Sequence, residues 1–310
     1  MLLEKPSSPR DEAASALELA TRRALGSETS LLEVTSESAL SDATRKFQVR
    51  DGAGRALAMA LLSSGSSARM IARSSQRARD VRDALGDELG AAVLLPLAEG
   101  EALGRSFALL PWCTPLHAGG LAGRLQRPVI CARLLRWLAA ATARTAREVS
   151  ADEREPRVAA PLARMAGETD QPAPLRELAT RALAALRAGD WIPKHVFMHD
   201  DLWSGNVLID QRTRGGRLFG ELRIIDWAGA RLDGFPLYDF LRVACDMRLT
   251  GRAFQRALDR QCAALACDRE QAQHHFAAAL ADLGGRLEQW PRAAYAKTAL
   301  SCWERLRAGR

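Results

Sequence analysis

The chain of 310 residues has no run of about 18 apolar residues, so nothing in it reads as a membrane-spanning helix. Its opening, MLLEKPSSPRDEAA, carries acids and prolines where a secretory leader needs a basic start and an apolar stretch. No basic run of the kind found in nucleic-acid-binding arms occurs either, although the formal charge is 44 − 37 = +7. The arginines, among them Arg22, Arg133, Arg144, Arg181 and Arg256, are spread along helical segments. Such a surface suits an anionic ligand, or simply keeps helices solvated. The six cysteines, Cys113, Cys131, Cys245, Cys262, Cys267 and Cys302, show neither a C-x-x-C spacing nor a paired framework, as expected of small core residues in a reducing compartment. Internal repeats and low-complexity tracts are absent too. A soluble, cytoplasmic protein without a nucleic-acid or membrane partner is the expectation.

With 47% hydrophobic residues, a chain of this length can bury one large core or two smaller ones, and two domains are expected. Spacing of three and four from Arg10 to Leu25, closed by Gly26, predicts a helix. SLLEVTSES, TRKFQVRD and RALAMALLSS read as strands, with Asp51-Gly52-Ala53-Gly54 as a hairpin turn between the last two. A helix is predicted from Ser67 to Leu85, ending at Gly86, and then two strands, AAVLLPLAE and SFALLPWCTPL. This gives a small antiparallel sheet with helices over residues 1–115. Residues 116–310 read as mostly helical: Pro128 to Val149, Leu175 to Ala188 before Gly189, and Leu237 to Leu306 with breaks at Gly251, Gly284-Gly285 and Pro291. Ser150 to Pro174 reads as a connection. VLID and LRIID form a hairpin across QRTRGGRLFGE, where Gly215-Gly216 marks the turn. The fold class is therefore α+β.

Chemistry concentrates in MHDDLWSGNVLID and the following LRIIDWAG, which carry His199, Asp201, Asn206 and Asp226. Two carboxylates and an amide oxygen at strand edges are what Mg²⁺-dependent phosphoryl transfer needs: one acid to orient and deprotonate a hydroxyl, the amide and the second acid to hold the metal against nucleotide phosphates. The competing reading is structural, since Asp and Asn are common around hairpins and Asp201, Asn206 and Asp210 could all be turn residues.

His199-x-Asp201-x-x-x-x-Asn206, followed by Ile225-Asp226-Trp227, resembles the catalytic loop and metal motif of the aminoglycoside phosphotransferase and choline kinase superfamily, and Asp201-Leu-Trp-Ser-Gly-Asn206 is similar to the loop of fructosamine kinases. The match is clear between Val196 and Ala244. The resemblance implies a bilobal protein-kinase-like fold with a small sheet lobe over a mostly helical lobe, and ATP and Mg²⁺ as cofactors. The acceptor it implies is a hydroxyl of a small molecule: a sugar, amino sugar or amino alcohol. It makes Asp201 the base, Asn206 and Asp226 the magnesium ligands, His199 a residue that holds the loop, and Asp239, in GFPLYDFLRVA, a helix-start or loop-bracing acid. FALLPWCTPL takes the place of the hinge strand, where Trp112 either stacks on a base or fills core. Asp233, Asp246 and Asp282 are candidates to meet a cationic acceptor, or are surface charges.

The chain departs from the family pattern in two places. Asp200 stands where the family usually has Gly, so it must point away from Asp201 or bind something if Asp201 is to work. RALAMALLSS has no lysine and ARMIARSSQRARDVRDALG no glutamate, only Gln76, Asp80 and Asp83, so the phosphate-binding pair of kinase-like enzymes is missing. Lys46 on the preceding strand is a candidate for the phosphates, with Arg45, Arg69 and Arg73 behind it; strand alternation means that Lys46 and Arg45 cannot face the same way. Lys46 as a solvated edge lysine is the other reading. A kinase-like protein impaired in catalysis, binding nucleotide or a protein partner, is the alternative function.

Overall fold

Alternation of apolar and polar residues builds the first part of the chain, and helical periodicity the rest. The computed structural model describes residues 9–26, 28–34, 44–64, 67–116, 119–212, 219–287 and 290–308. The order is α1 (Pro9–Leu25), β1 (Ser30–Glu33), β2 (Arg45–Arg50), β3 (Ala56–Leu62), α2 (Met70–Gly90), β4 (Ala98–Ala102), β5 (Arg105–Pro111) and β6 (Thr114–Pro115). Next come α3 (Gly120–Thr145), β7 (Arg147–Glu148), α4 (Ala151–Arg154), a π-helical turn (Glu155–Ala159), α5 (Ala160–Gly167), α6 (Ala173–Ala188), β8 (Lys194–Met198) and β9 (Val207–Asp210). The chain continues through β10 (Glu221–Ile224), β11 (Arg231–Gly234), α7 (Tyr238–Asp246), α8 (Gly251–Leu265), α9 (Arg269–Gly284) and α10 (Arg292–Ala308). No helix among the described residues is long and apolar enough to cross a membrane.

Two compact units emerge. The first takes in the described residues of Met1–Asp80, Ala92–Thr114 and Leu208–Ala228. Its sheet is antiparallel in the order β1-β2-β3-β5-β4. Phe47 and Val49 of β2, Ala58, Ala60 and Leu62 of β3, and Phe107 and Leu109 of β5 line one face and bury Ala13 and Leu17 of α1. Strand periodicity then sends Lys46 to the other face, in register with Leu61, which is itself paired with Ala108. The β2–β3 turn is tied by Asp51, whose carboxylate accepts the N–H groups of Ala53 and Arg55, and Gly54 takes φ +78°. That is the expected hairpin. β9 and β10 are neighbours in a second small sheet, as expected, though Gly215-Gly216 lies outside the described residues.

The start of α2 is clipped to the larger sheet by two buried serines. Ser63 Oγ and Ser106 Oγ lie 2.8 Å apart, accept the N–H groups of Ile71 and Ala72, and Ser106 Oγ also bonds Ala68 O at 2.9 Å. Two of the helix's otherwise unsatisfied N–H groups are thus served by the side chains of Ser63, just past β3, and Ser106 of β5 rather than by a local cap.

The second unit comprises Val81–Ala91, Pro115–Val207 and Gly229–Arg310. Its short sheet has the order β11-β8-β7, and Ile130, Leu134, Leu138 and Ala141 form the buried stripe of α3.

The expected stop at Gly86 is present: its φ +74° and ψ 176° are non-helical and divide α2 into two helical stretches, the second running to Gly90, where Trp137 Nε1 bonds Leu89 O at 2.8 Å. Three expectations need correction. AAVLLPLAE is not a strand before Ala98; Val93 makes a single parallel bridge to Ile224, and Pro96 has no N–H to extend it. α3 begins at Gly120, with Pro128 inside it, because cooperative turns on either side outlast the one lost bond. The expected connection from Ser150 is largely helical: α4, the π-helical turn and α5 run on without a break, with helical dihedrals at Arg154, Glu155, Ala159 and Ala160, Pro156 and Pro161 lie inside the run, and Val158, Leu162 and Met165 are buried.

Ser106→Ala removes both an acceptor and a donor from the buried clip. It should lower unfolding free energy by about 1–3 kcal/mol, read as a reduced urea midpoint at unchanged m-value.

Candidate active site

Strand β8 is buried from His195 to Met198 and delivers the chain into the loop His199–Asn206. His199 is fully buried, and its backbone N–H donates to Asp239 Oδ2 at 2.6 Å. Asp239, the second residue of α7, therefore braces the loop with its carboxylate instead of capping its own helix.

Asp200 adopts φ +78°, a left-handed conformation that glycine takes freely and Asp tolerates better than most residues. Its carboxylate is drawn to Arg286 Nη1 at 3.3 Å, and Arg286 also binds Asp282, which in turn pairs with Arg231 at 2.6 Å. Burial pushes the Asp200 carboxyl up, and Arg286 and Arg231 oppose it. So Asp200 is occupied by its own arginine. Gly229 packs against it, with room for no more: a Cβ there would stand 3.0 Å from Asp200 Cβ.

The Asp201 side chain is 57% exposed and meets Arg242 Nη2 at 3.4 Å. Asn206, by contrast, is buried; its Nδ2 donates to Asp201 O at 2.8 Å and to Asp201 Oδ2 at 3.3 Å. Between them Ser204 donates its N–H to Asp246 Oδ2 at 2.9 Å. Gly205 allows the Trp203 ring to lie over the backbone, where an added Cβ would come within 2.5 Å of it. The structure therefore brings His199, Asp201, Asn206 and Asp239 into one hydrogen-bonded loop within the second unit.

Asp226 and Lys46 belong to the first unit. Asp226 is exposed, with φ +66°, at the end of β10. The preceding Ile224 is fixed on both sides: its N–H bonds Ala92 O at 2.7 Å, and its O accepts from Leu94 N at 3.0 Å and Trp227 Nε1 at 3.0 Å. Lys46 is half-buried on the sheet face away from α1. Of the other cations considered, Arg45 is held in a two-pronged pair with Glu33 and Arg69 lies 4.0 Å from Glu101.

The three acids considered for a cationic acceptor are engaged. Asp233 pairs with Arg157, Asp282 with Arg231 and Arg286, and Asp246 holds Ser204. Sequence reasoning missed Arg242 and Arg286, because no local spacing links them to the loop; 41 and 86 positions separate them from their partners.

Burial pushes the Asp239 carboxyl up from 3.8 to about 7, with nearby Asp200 and Asp201 raising it further and the His199 N–H opposing. A folded-state value above the unfolded one means that the stability contribution of Asp239 is complete below about pH 4 and is lost as pH rises through about 7. Asp239→Asn cannot titrate. The unfolding free energy of wild type minus that of Asp239→Asn should therefore decline between pH 4 and 7, as measured by urea unfolding at each pH.

A sequence model of the phosphotransferase enzyme family matches residues 39–275. No curated protein matches the sequence. Among solved structures, a protein assigned as a fructosamine-3-kinase from Haemophilus somnus 129PT is 10% identical, with 95% of this chain and 98% of that chain covered at a TM-score of 0.51. A choline/ethanolamine kinase family protein from Mesorhizobium loti is 13% identical, with 97% and 94% covered at a TM-score of 0.49. At such identities the first likeness speaks for the α+β, kinase-like fold alone. The family match spans most of the chain and includes the whole loop, and the chain accordingly belongs to the phosphotransferase enzyme family.

Proposed function

We propose that this chain is an ATP- and Mg²⁺-dependent phosphotransferase that places the γ-phosphoryl group on a hydroxyl of a small molecule: a sugar, amino sugar or amino alcohol. The observation that carries the reading is the division of labour between Asp201 and Asn206. Asn206 spends its amide N–H groups on Asp201, which orients its Oδ1 away from that residue. Asp201, held at its backbone oxygen and Oδ2 by Asn206 and at Oδ1 by Arg242, is still 57% exposed, which leaves an acceptor hydroxyl room to reach it as base.

The donor chemistry fits magnesium. Among the described residues no group of three or more His, Cys, Asp or Glu is placed to hold a metal, so no dedicated cage is on offer. Mg²⁺ in nucleotide sites takes one or two protein oxygens and completes its shell with water and phosphate. Asn206 Oδ1 and the exposed carboxylate of Asp226 are the proposed protein oxygens. Bound there, the ion would offset the negative charge of the nucleotide phosphates. Lys46 is the proposed phosphate contact; its register with Leu61 puts it one strand away from the third strand, where this chain has no lysine. Residues 1–115 would then serve as the nucleotide-binding lobe and 116–310 as the lobe carrying the loop. His199 and Asp239 would support the loop.

A thermal-shift titration tests the nucleotide site, because a ligand present at about a hundred times its Kd stabilises the native state by roughly 2.7 kcal/mol. The melting temperature should rise with ATP and Mg²⁺ together, and Asp226→Ala should abolish the magnesium-dependent part. ADP release with a panel of sugar and amino-alcohol acceptors tests the chemistry; Asp201→Asn should lose roughly 10²- to 10⁴-fold in kcat, and equal turnover by both proteins would refute Asp201 as base. Lys46→Met should weaken ATP binding about tenfold, the scale of one charge-assisted hydrogen bond. Binding without turnover would favour the impaired-kinase alternative.

A further inference from the structure

Three residues of α7 reach the catalytic loop, and they share one face. Asp239, Arg242 and Asp246 are spaced i, i+3 and i+7, which on a helix of 3.6 residues per turn keeps them within about 60° of one another. Asp239 Oδ2 takes the N–H of His199 at the loop's entry, Arg242 Nη2 meets the carboxylate of Asp201, and Asp246 Oδ2 takes the N–H of Ser204 towards its exit. The helix that carries them is itself wedged. Tyr238, Phe240, Leu241, Val243 and Ala244 are buried; Phe240 stacks on Phe254 of α8 at 5.7 Å, and Cys245 Sγ lies 3.7 Å from Ser301 O of α10.

Arg242 is the member of this set that packing does not explain. Its side chain is only 23% exposed, and its buried Nε finds no hydrogen-bond partner among the described residues. A buried, partly unsatisfied guanidinium costs stability. What Arg242 gains is Oδ1 of the exposed Asp201 carboxylate, whose other oxygen is held by Asn206, so that the two contacts together fix its rotamer. Misplacement of a reacting group by about 1 Å costs on the order of 10²-fold in rate.

We propose that Arg242 and Asp246 are positioning residues, and that this face of α7 is a rack holding the loop at three points so that Asp201 stays aimed while remaining accessible. The proposal rests on Asp201 being the base. Asp239 fixes where the loop begins, Asp246 fixes the turn before Asn206, and Arg242 fixes the carboxylate between them.

The test uses the full-length protein with Arg242→Met, Arg242→Lys, Asp246→Ala and Asp246→Asn. Hydrogen exchange, followed by mass spectrometry on peptides covering residues 199–206, reads the loop directly. Exchange there should speed up about tenfold in Arg242→Met and Asp246→Ala, while peptides from α3 and α6 keep wild-type rates, which shows that the variants are folded. ADP release at saturating ATP and Mg²⁺, with water or the best acceptor, should fall roughly 10- to 100-fold in kcat, while the ATP concentration that half-saturates the thermal shift stays the same. Arg242→Lys and Asp246→Asn, which keep a cation and an acceptor oxygen, should recover part of both losses. Wild-type exchange across 199–206 in both Arg242→Met and Asp246→Ala would overturn the rack, as would a weakened ATP half-saturation at unchanged kcat. If instead Asp201→Asn turns over like wild type, the base assignment fails, and the exchange data still decide whether α7 holds the loop.

Discussion

The hydrogen bond from the His199 N–H to the buried carboxylate of Asp239 is the constraint on which the site depends. It joins the end of β8 to the start of α7, two elements 40 residues apart in sequence, at the point where the chain leaves a buried strand and becomes a loop. Burying a carboxylate is costly, and Asp239 bears that cost in a raised proton affinity. A site that keeps such a group gains a fixed origin from which the next residues can be placed.

From that origin the two consecutive acids of the loop are sorted by environment. Asp200 turns through a left-handed backbone into the Arg286–Asp282–Arg231 network, and Asp201 turns the other way, to Arg242 and open solvent. Two like charges in sequence are thus separated by a backbone inversion and matched to different arginines. The departure from the family's usual glycine is reconciled by the same φ value: the position asks for a residue that tolerates it, and Asp does so with an ion pair as added support.

Much of the fold was legible because it is written locally. Phe47 and Val49 alternate with Lys46 and Gln48, Asp51 to Gly54 spell a turn, and Ala13 and Leu17 fall on one helical stripe, so α1, β2 and β3 could be placed from spacing alone. The helices between Ser150 and Gly167 were hidden, since acids that look like loop signals are also good first-turn residues, as Asp152 and Glu153 are, and Pro156 and Pro161 are carried inside the helical run by the burial of Val158, Leu162 and Met165. Asp201 and Asn206 could be found together because both lie on one short loop. The long-range partners of Asp200, Asp201 and Ser204, namely Arg286 after α9 and Arg242 and Asp246 on α7, could not be linked to them, for long-range pairing leaves no period in the sequence. The lysine-free third strand was equally plain to read, but no spacing rule assigns that lysine's role to another cation.

Arg286 lies just beyond the end of α9, yet it is the counter-ion of Asp200 inside the loop that opens with His199. Residues beyond α9 therefore bear on the geometry of this loop. Variation at Arg286 across relatives of this chain would be expected to track the identity of position 200: where that position is glycine the arginine keeps only Asp282 as an acid partner, and a naive survey would mistake a coupled pair for two unrelated surface changes.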